Sequence, residues 1–135
     1  AGGEPYLAIG YPMACSEAWR SLSGGAVKVF IELHTRFHGG NNGKLNLSLD
    51  EGARLLHLGK ATIARCLVEL EAKGFIKLKR RGRWYGRMAS EYALTTKSCE
   101  GQTATNEWKR WQPPAETRRK RTRKSPPAFL GAEPH

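Results

Sequence analysis

Apolar residues recur along this chain at two spacings, and the change from one to the other divides it near Gly74. Before that glycine the spacing is helical. "SEAWRSL" opens on Ser16, a good N-cap residue, with Glu17 at the positive end of a short helix. Ser23 caps the next helix, "GGAVKVFIELHTRFH", in which Val27, Phe30, Ile31, Leu33 and Phe37, with His34 beside them, form a broad apolar stripe. Gly24 and Gly25 weaken its first turn, each by about 1 kcal/mol relative to alanine. "HGGNNGK" ends it, because Gly and Asn tolerate left-handed backbone. A short alternating run, "KLNLSL", reads as a strand. Ser48, with Glu51 three residues later, has capping-box spacing and places a helix start at Leu49. Ala53, Leu55, Leu56 and Leu58 supply its buried side, and it stops near His57. Gly59 then serves as the N-cap of a helix running from Lys60 to Lys73 and closed by Gly74.

Beyond Gly74 the period falls to two. Ile76 and Leu78 alternate with Lys77 and Lys79, and Tyr92 and Leu94 alternate with Glu91 and Ala93, so "FIKLKRRGRWYGRMASEYALT" predicts two strands around a loop. Residues 1–15 read as an N-terminal arm with a short extended run from Tyr6 to Ile9. Residues 99–114 read as an extension in which Trp108 and Trp111 share a face if helical. Residues 115–135 hold a run of like charge and then Pro- and Gly-containing sequence; with little apolar surface to offset ordering, they are expected to be disordered without a partner.

The expected fold is therefore α+β and mainly α, with its core domain over residues 16–98. The order of elements and "LSLDEGARLLHLGKATIARCLVELEAKGFI" resemble the winged helix-turn-helix domains of the GntR and MarR families. Ala53 matches the small residue where the two helices cross, and Leu56 and Leu58 match the apolar turn positions. Thr62, Ile63, Arg65 and Leu67 match the core of the second helix, and Gly74, Phe75 and Ile76 its exit into the wing. The stretch through "RGRWYGRMASEYALT" is also similar to phage- and plasmid-associated bacterial winged-helix proteins, including N-terminal domains of replication initiators. The resemblance implies a three-helix core, a two- to three-stranded antiparallel wing, and binding of double-stranded DNA. His57 stands where the family usually has Gly in the turn, and Gly59 where it usually has Ser or Thr; His tolerates left-handed backbone, and Gly caps nearly as well.

Charge sharpens this picture. Lys and Arg total 23 against 12 Asp and Glu, a formal net charge of +11. Such an excess attracts polyanions, nucleic acid first and an anionic membrane surface second. No long apolar run supports a membrane partner, and no signal peptide is evident. Cys15, Cys66 and Cys99 are odd in number and lack paired spacing, which suits a reducing cytoplasm; a nucleoid location is what the DNA-binding resemblance implies.

A helical wheel separates two faces of the helix that begins at Lys60. Ile63, Leu67 and Leu70, with Cys66 at the edge, point inward. Ala61, Arg65, Val68 and Ala72 lie opposite, with Ala64 to one side. A solvated face would carry Glu, Lys and Gln; this one is small and apolar around one Arg, as a major groove accepts. Lys60 and Thr62 are placed for phosphates or bases near the positive helix end. The alternative is that Ala61, Ala64 and Val68 pack against another part of the chain, such as the N-terminal arm. Lys77, Lys79, Arg80, Arg81, Arg83 and Arg87, with Trp84 and Tyr85, make the hairpin a candidate clamp on the backbone or in the minor groove, or else a charged hairpin that serves solubility. Arg118, Arg119, Lys120, Arg121, Arg123 and Lys124 form a second basic run suited to phosphates.

Other chemistry is not expected. His34 and His38, four apart, have no motif-placed partners for a metal, and Cys66 has no His and carboxylate to activate it. Asp50 and Glu51 sit where a helix dipole favours carboxylates. The reading is a DNA-binding regulator with no enzymatic activity, cofactor or metal. A replication-initiation or partition factor and a protein-interaction module are the alternatives. Homodimerisation is open, with Trp108, Trp111 and the first helix as candidate surfaces.

Overall fold

Three of the four serines in the helical half of the chain stand at the heads of helices. The structure, a computed structural model, describes residues 4–82 and 89–114. Among them the chain is α+β and mainly helical: α1 (Tyr11–Ala14), α2 (Glu17–Arg20), α3 (Gly24–Thr35), α4 (Leu49–Leu56) and α5 (Lys60–Ala72) precede β1 (Ile76–Arg80), β2 (Glu91–Leu94) and a closing 3-10 turn, Glu107–Arg110. Ser16, Ser23 and Ser48 accept hydrogen bonds from the amides of Trp19, Ala26 and Glu51. Each satisfies a donor that the helix itself leaves unpaired.

The arm is not extended through its length. Residues 6–9 form no strand, and α1 follows them, started by Pro12 and carrying Met13 into the core. In α3 the buried row is Ala26, Val29, Phe30 and Leu33, whereas Val27 is half-buried and Ile31 is 39% exposed. The expected stripe was thus centred too far round, because the apolar arc is wider than the face that the neighbouring elements cover. "KLNLSL" makes a single bridge, Leu45 to Tyr92, rather than a strand. Leu47 leaves the sheet edge and packs under α4.

β1 and β2 pair antiparallel, with Ile76 opposite Leu94 and Leu78 opposite Tyr92; the register slips between Leu78 and Arg80. One sheet edge is joined to the helical layer by Asn42, which is 7% exposed. Its carboxamide nitrogen donates to the carbonyls of Leu94, Lys97 and Ser98 at 3.0, 3.2 and 2.9 Å, and its oxygen accepts from the Leu94 amide at 2.7 Å. One buried side chain thereby satisfies the end of β2 and the turn after it.

Aromatic rings fill the space between the layers. Trp19 meets Phe30 and Phe75 edge-on, at centroid distances of 5.6 and 5.7 Å. Trp108 lies parallel to Phe75, with the centroids 6.3 Å apart. The 99–114 extension is therefore part of the packing, since Trp108 is only 7% exposed. That burial withdraws Trp108 from the surfaces open to a second copy.

Removal of the Asn42 side chain takes this partner from the Lys97 and Ser98 carbonyls and the Leu94 amide, and leaves the Leu94 carbonyl with the longer, 3.4 Å bond from the Lys97 amide. Asn42→Ala is expected to lower the unfolding free energy by about 2 kcal/mol, the desolvation cost of buried unsatisfied polar groups. Chemical denaturation followed by tryptophan fluorescence would measure it.

Candidate nucleic-acid interface

The presentation of α5 depends on the three residues before it. His57 closes α4 in left-handed backbone, at φ 58° and ψ 45°, and the Leu58 amide bonds back to the Ala53 carbonyl at 3.3 Å. Gly59 then turns extended and begins α5. The turn geometry that Gly would supply is thus made by His57, among the better non-glycine residues for it. The close approach of the two helices occurs at Gly52, not at Ala53. A β-carbon on Gly52 would sit 3.1 Å from Ile63 Cγ2 and 3.3 Å from Leu47 Cδ2. Gly52 is buried while Ala53 is half-buried, and Leu55, expected inside, is 41% exposed. The rotation follows from packing: the residue with no side chain takes the tightest point, which turns Leu55 outward.

On α5 the inward residues are Ile63, Cys66, Leu67 and Leu70, all buried. The other face is open. Ala61, Arg65 and Ala72 are exposed, Val68 is 66% exposed, and Ala64 is partly covered. The described part of the arm does not lie on them. Leu7, Ala8 and Met13 instead border a hollow with Phe30, His34, Thr96, Lys97 and Trp108, which no α5 residue lines. Burial, and then the nearby Lys97 charge, push the His34 imidazole below its ordinary pKa.

The two ends of α5 differ in how their polar groups are used. Gly59 provides no side-chain cap, unlike the serines at the heads of α2, α3 and α4. The first-turn amides of α5 therefore keep their capacity for an outside acceptor. Lys60 makes an ion pair with Asp50 of α4, and both are well exposed. The Lys60 hydrogen bond and charge hold the Asp50 carboxyl below its usual range. Exposed pairs of this kind are weak and readily exchanged for another anion. Thr62 accepts a hydrogen bond from Arg65 Nη2 at 3.2 Å.

At the other end Glu69 is fully engaged within the fold. It accepts from the Ser23 amide at 2.9 Å and the Ser23 hydroxyl at 2.8 Å, and pairs with Lys73 at 3.2 Å. Lys73 also donates to the Ser21 carbonyl and lies over the Trp111 ring, 5.1 Å from its centroid. The contacts join α5 to the start of α3 and to the C-terminal extension. Burial raises the Cys66 thiol pKa above its ordinary value. No cluster of three metal-ligating side chains occurs among the described residues.

The strand cations are arranged differently from the sequence expectation. No acid interrupts the basic run itself, yet the fold brings acids to it from elsewhere. Lys77 pairs with Glu107 at 3.8 Å, Lys79 with Glu100 at 3.5 Å, and Arg80 with Glu91 at 3.0 Å. Lys77 and Lys79 share the outer sheet face with Ala93, beside the extension, whereas Ile76 and Leu78 face the helices. Arg81 is exposed at the end of β1, where the Gly82 amide donates to Ser90 Oγ across the hairpin at 2.8 Å. Arg83, Trp84, Tyr85 and Arg87 lie outside the described residues, as do Arg118, Arg119, Lys120, Arg121, Arg123 and Lys124. The structure thus brings Lys60, Ala61, Thr62, Ala64, Arg65 and Val68 together on α5, and sets Lys77 and Lys79 apart from them.

Glu69 gives the interface scaffold an acid dependence. Burial alone would raise its pKa, but the Ser23 amide and hydroxyl and the Lys73 ammonium outweigh it and hold the carboxyl below its ordinary 4.5. Because the folded value is depressed, the stabilisation is fully present above the unfolded value and is lost as pH falls through the folded one. Glu69→Gln is therefore expected to be less stable than the parent above pH 4.5, with the gap narrowing under more acidic conditions. Thermal melts across that range would record it.

No helix among the described residues is long and apolar enough to cross a membrane. Comparison with protein-family models, with curated proteins and with solved structures finds no match to this chain.

Proposed function

We propose that this chain is a winged helix-turn-helix protein that binds double-stranded DNA sequence-specifically, as a transcriptional regulator of a bacterium or mobile element. In this reading α5 enters the major groove, and the β1–β2 hairpin and basic C-terminal run hold the phosphates or the minor groove. The observation that carries it is the open face of α5, where Ala61, Arg65, Val68 and Ala72 stay exposed with no other part of the described chain drawn over them. Val68, at 66% exposure, adds an apolar side chain to that open face beside Arg65. Further support comes from the uncapped start of α5, with Lys60 beside it, and from the left-handed turn at His57.

A protein-interaction module is the second reading. It is favoured by the acids that compensate Lys77, Lys79 and Arg80, which leave the hairpin less basic than its sequence. The two readings separate on DNA. Selection from random duplexes followed by footprinting is expected to return a preferred site. Arg65→Ala should weaken that site by roughly tenfold to a hundredfold, the 1–3 kcal/mol of a base-directed Arg contact, while binding to unrelated duplexes changes little. Absence of both site preference and Arg65 dependence would favour the interaction module.

The C-terminal run makes a separate contribution. Truncation after Pro114 removes six Lys and Arg residues between 118 and 124. It is expected to weaken all duplexes alike and to flatten the dependence of log K on log salt by up to about 5. Titration at several salt concentrations would give that slope, and an altered base preference would show that the run reads sequence.

A further inference from the structure

The chemistry of the α5 face is narrow enough to say what it would recognise. Its outward side chains are Ala61, Ala64, Arg65, Val68 and Ala72: four hydrocarbon groups and one guanidinium. No Asn or Gln is present to fork onto adenine. The two carboxylates of α5 that might accept from cytosine are Glu69 and Glu71. Glu69 is occupied by Ser23 and Lys73. Glu71 stands exposed in the last turn, where its charge repels phosphate and keeps that end of the helix shallow. What remains in the N-terminal half is a methyl surface around Arg65, with Lys60, paired to Asp50, and Thr62, which accepts from Arg65, at its edges.

In the major groove, methyl surface is complementary to the thymine 5-methyl group, and a guanidinium to guanine O6 and N7. Ala61 and Val68 are seven residues apart, so at 1.5 Å per residue they are about 10 Å apart along the helix. That spans about three base steps. Arg65 lies between them, tethered to Thr62 at 3.2 Å rather than to an acid.

We infer that α5 identifies its site through thymine methyl groups flanking a G·C pair, with Val68 as the specificity-determining residue for one of those thymines. The inference rests on the DNA-binding reading above and names its target chemistry. Such a site distinguishes T·A from A·T by where the methyl group lies, and it distinguishes thymine from uracil.

The test uses the full chain and the duplex it prefers after selection from a random pool. Each thymine is replaced singly by uracil, which removes only the methyl group. The expected result is a loss of about fourfold at one or more positions, the value of one buried methyl. Val68→Ala, a change at an exposed position, should abolish the extra cost of uracil at one of those positions and leave the others sensitive. A preferred site that tolerates every uracil substitution within twofold would overturn the inference and leave sequence-specific binding intact. So would uracil sensitivity that is unchanged in Val68→Ala. Selection that returns no preferred site would overturn both.

Discussion

The backbone at Gly74 is the point on which the layers of this molecule converge. It holds φ +88°, and a β-carbon there would lie 2.7 Å from both the carbonyl carbon of Glu107 and the amide nitrogen of Trp108. Two demands meet at one residue: left-handed backbone to end α5, and no side chain to let a second segment cross. The Gly74 amide bonds to the Glu71 carbonyl, and the Phe75 amide to that of Leu70, which gives the helix end a Schellman arrangement. Its own carbonyl accepts from buried Thr95 Oγ1 at 2.6 Å. Helix α5, strand β1, the end of β2 and the C-terminal extension are thus set by a single position. The stacking of Trp108 on Phe75 follows from that crossing.

From this anchorage α5 can serve two environments at once. Its inner residues are held by Gly52 of α4 below Ile63, and its last turns by Glu69 and Lys73, which reach α3 and Trp111. The helix is fixed along its length without any contribution from Ala61, Arg65 or Val68. The outward face carries no packing duty in the described fold, so substitutions of Ala61 and Val68 there should leave folding little changed.

Much of this was legible from local order along the chain. The serine caps, the stop at His57, the start at Lys60, the inward set of Ile63, Leu67 and Leu70 with Cys66 at its edge, and the two strands around a loop all follow from short-range periodicity and capping chemistry. Other features were not. Gly52 rather than Ala53 takes the helix crossing, because two adjacent small residues give no phase and only contact with Ile63 and Leu47 chooses between them. Ile31 and Leu55 turned outward because an apolar residue reports a tendency to be buried, not which neighbour is available to bury it.

Sequence alone determined helices α2 to α5, the two strands after them, the two faces of α5 and the excess of positive charge, since each depends on residues within a turn or two or on simple counting. Tertiary structure decided which charges remain uncompensated. Glu91, Glu100 and Glu107 lie 11 to 30 residues from the cations they meet, about 11 for Arg80 and 30 for Lys77, beyond any local pattern. It decided also that Trp108 belongs to the core and that Asn42 closes the sheet. Those outcomes depend on chain segments meeting in space, and no spacing along the chain encodes such a meeting by itself.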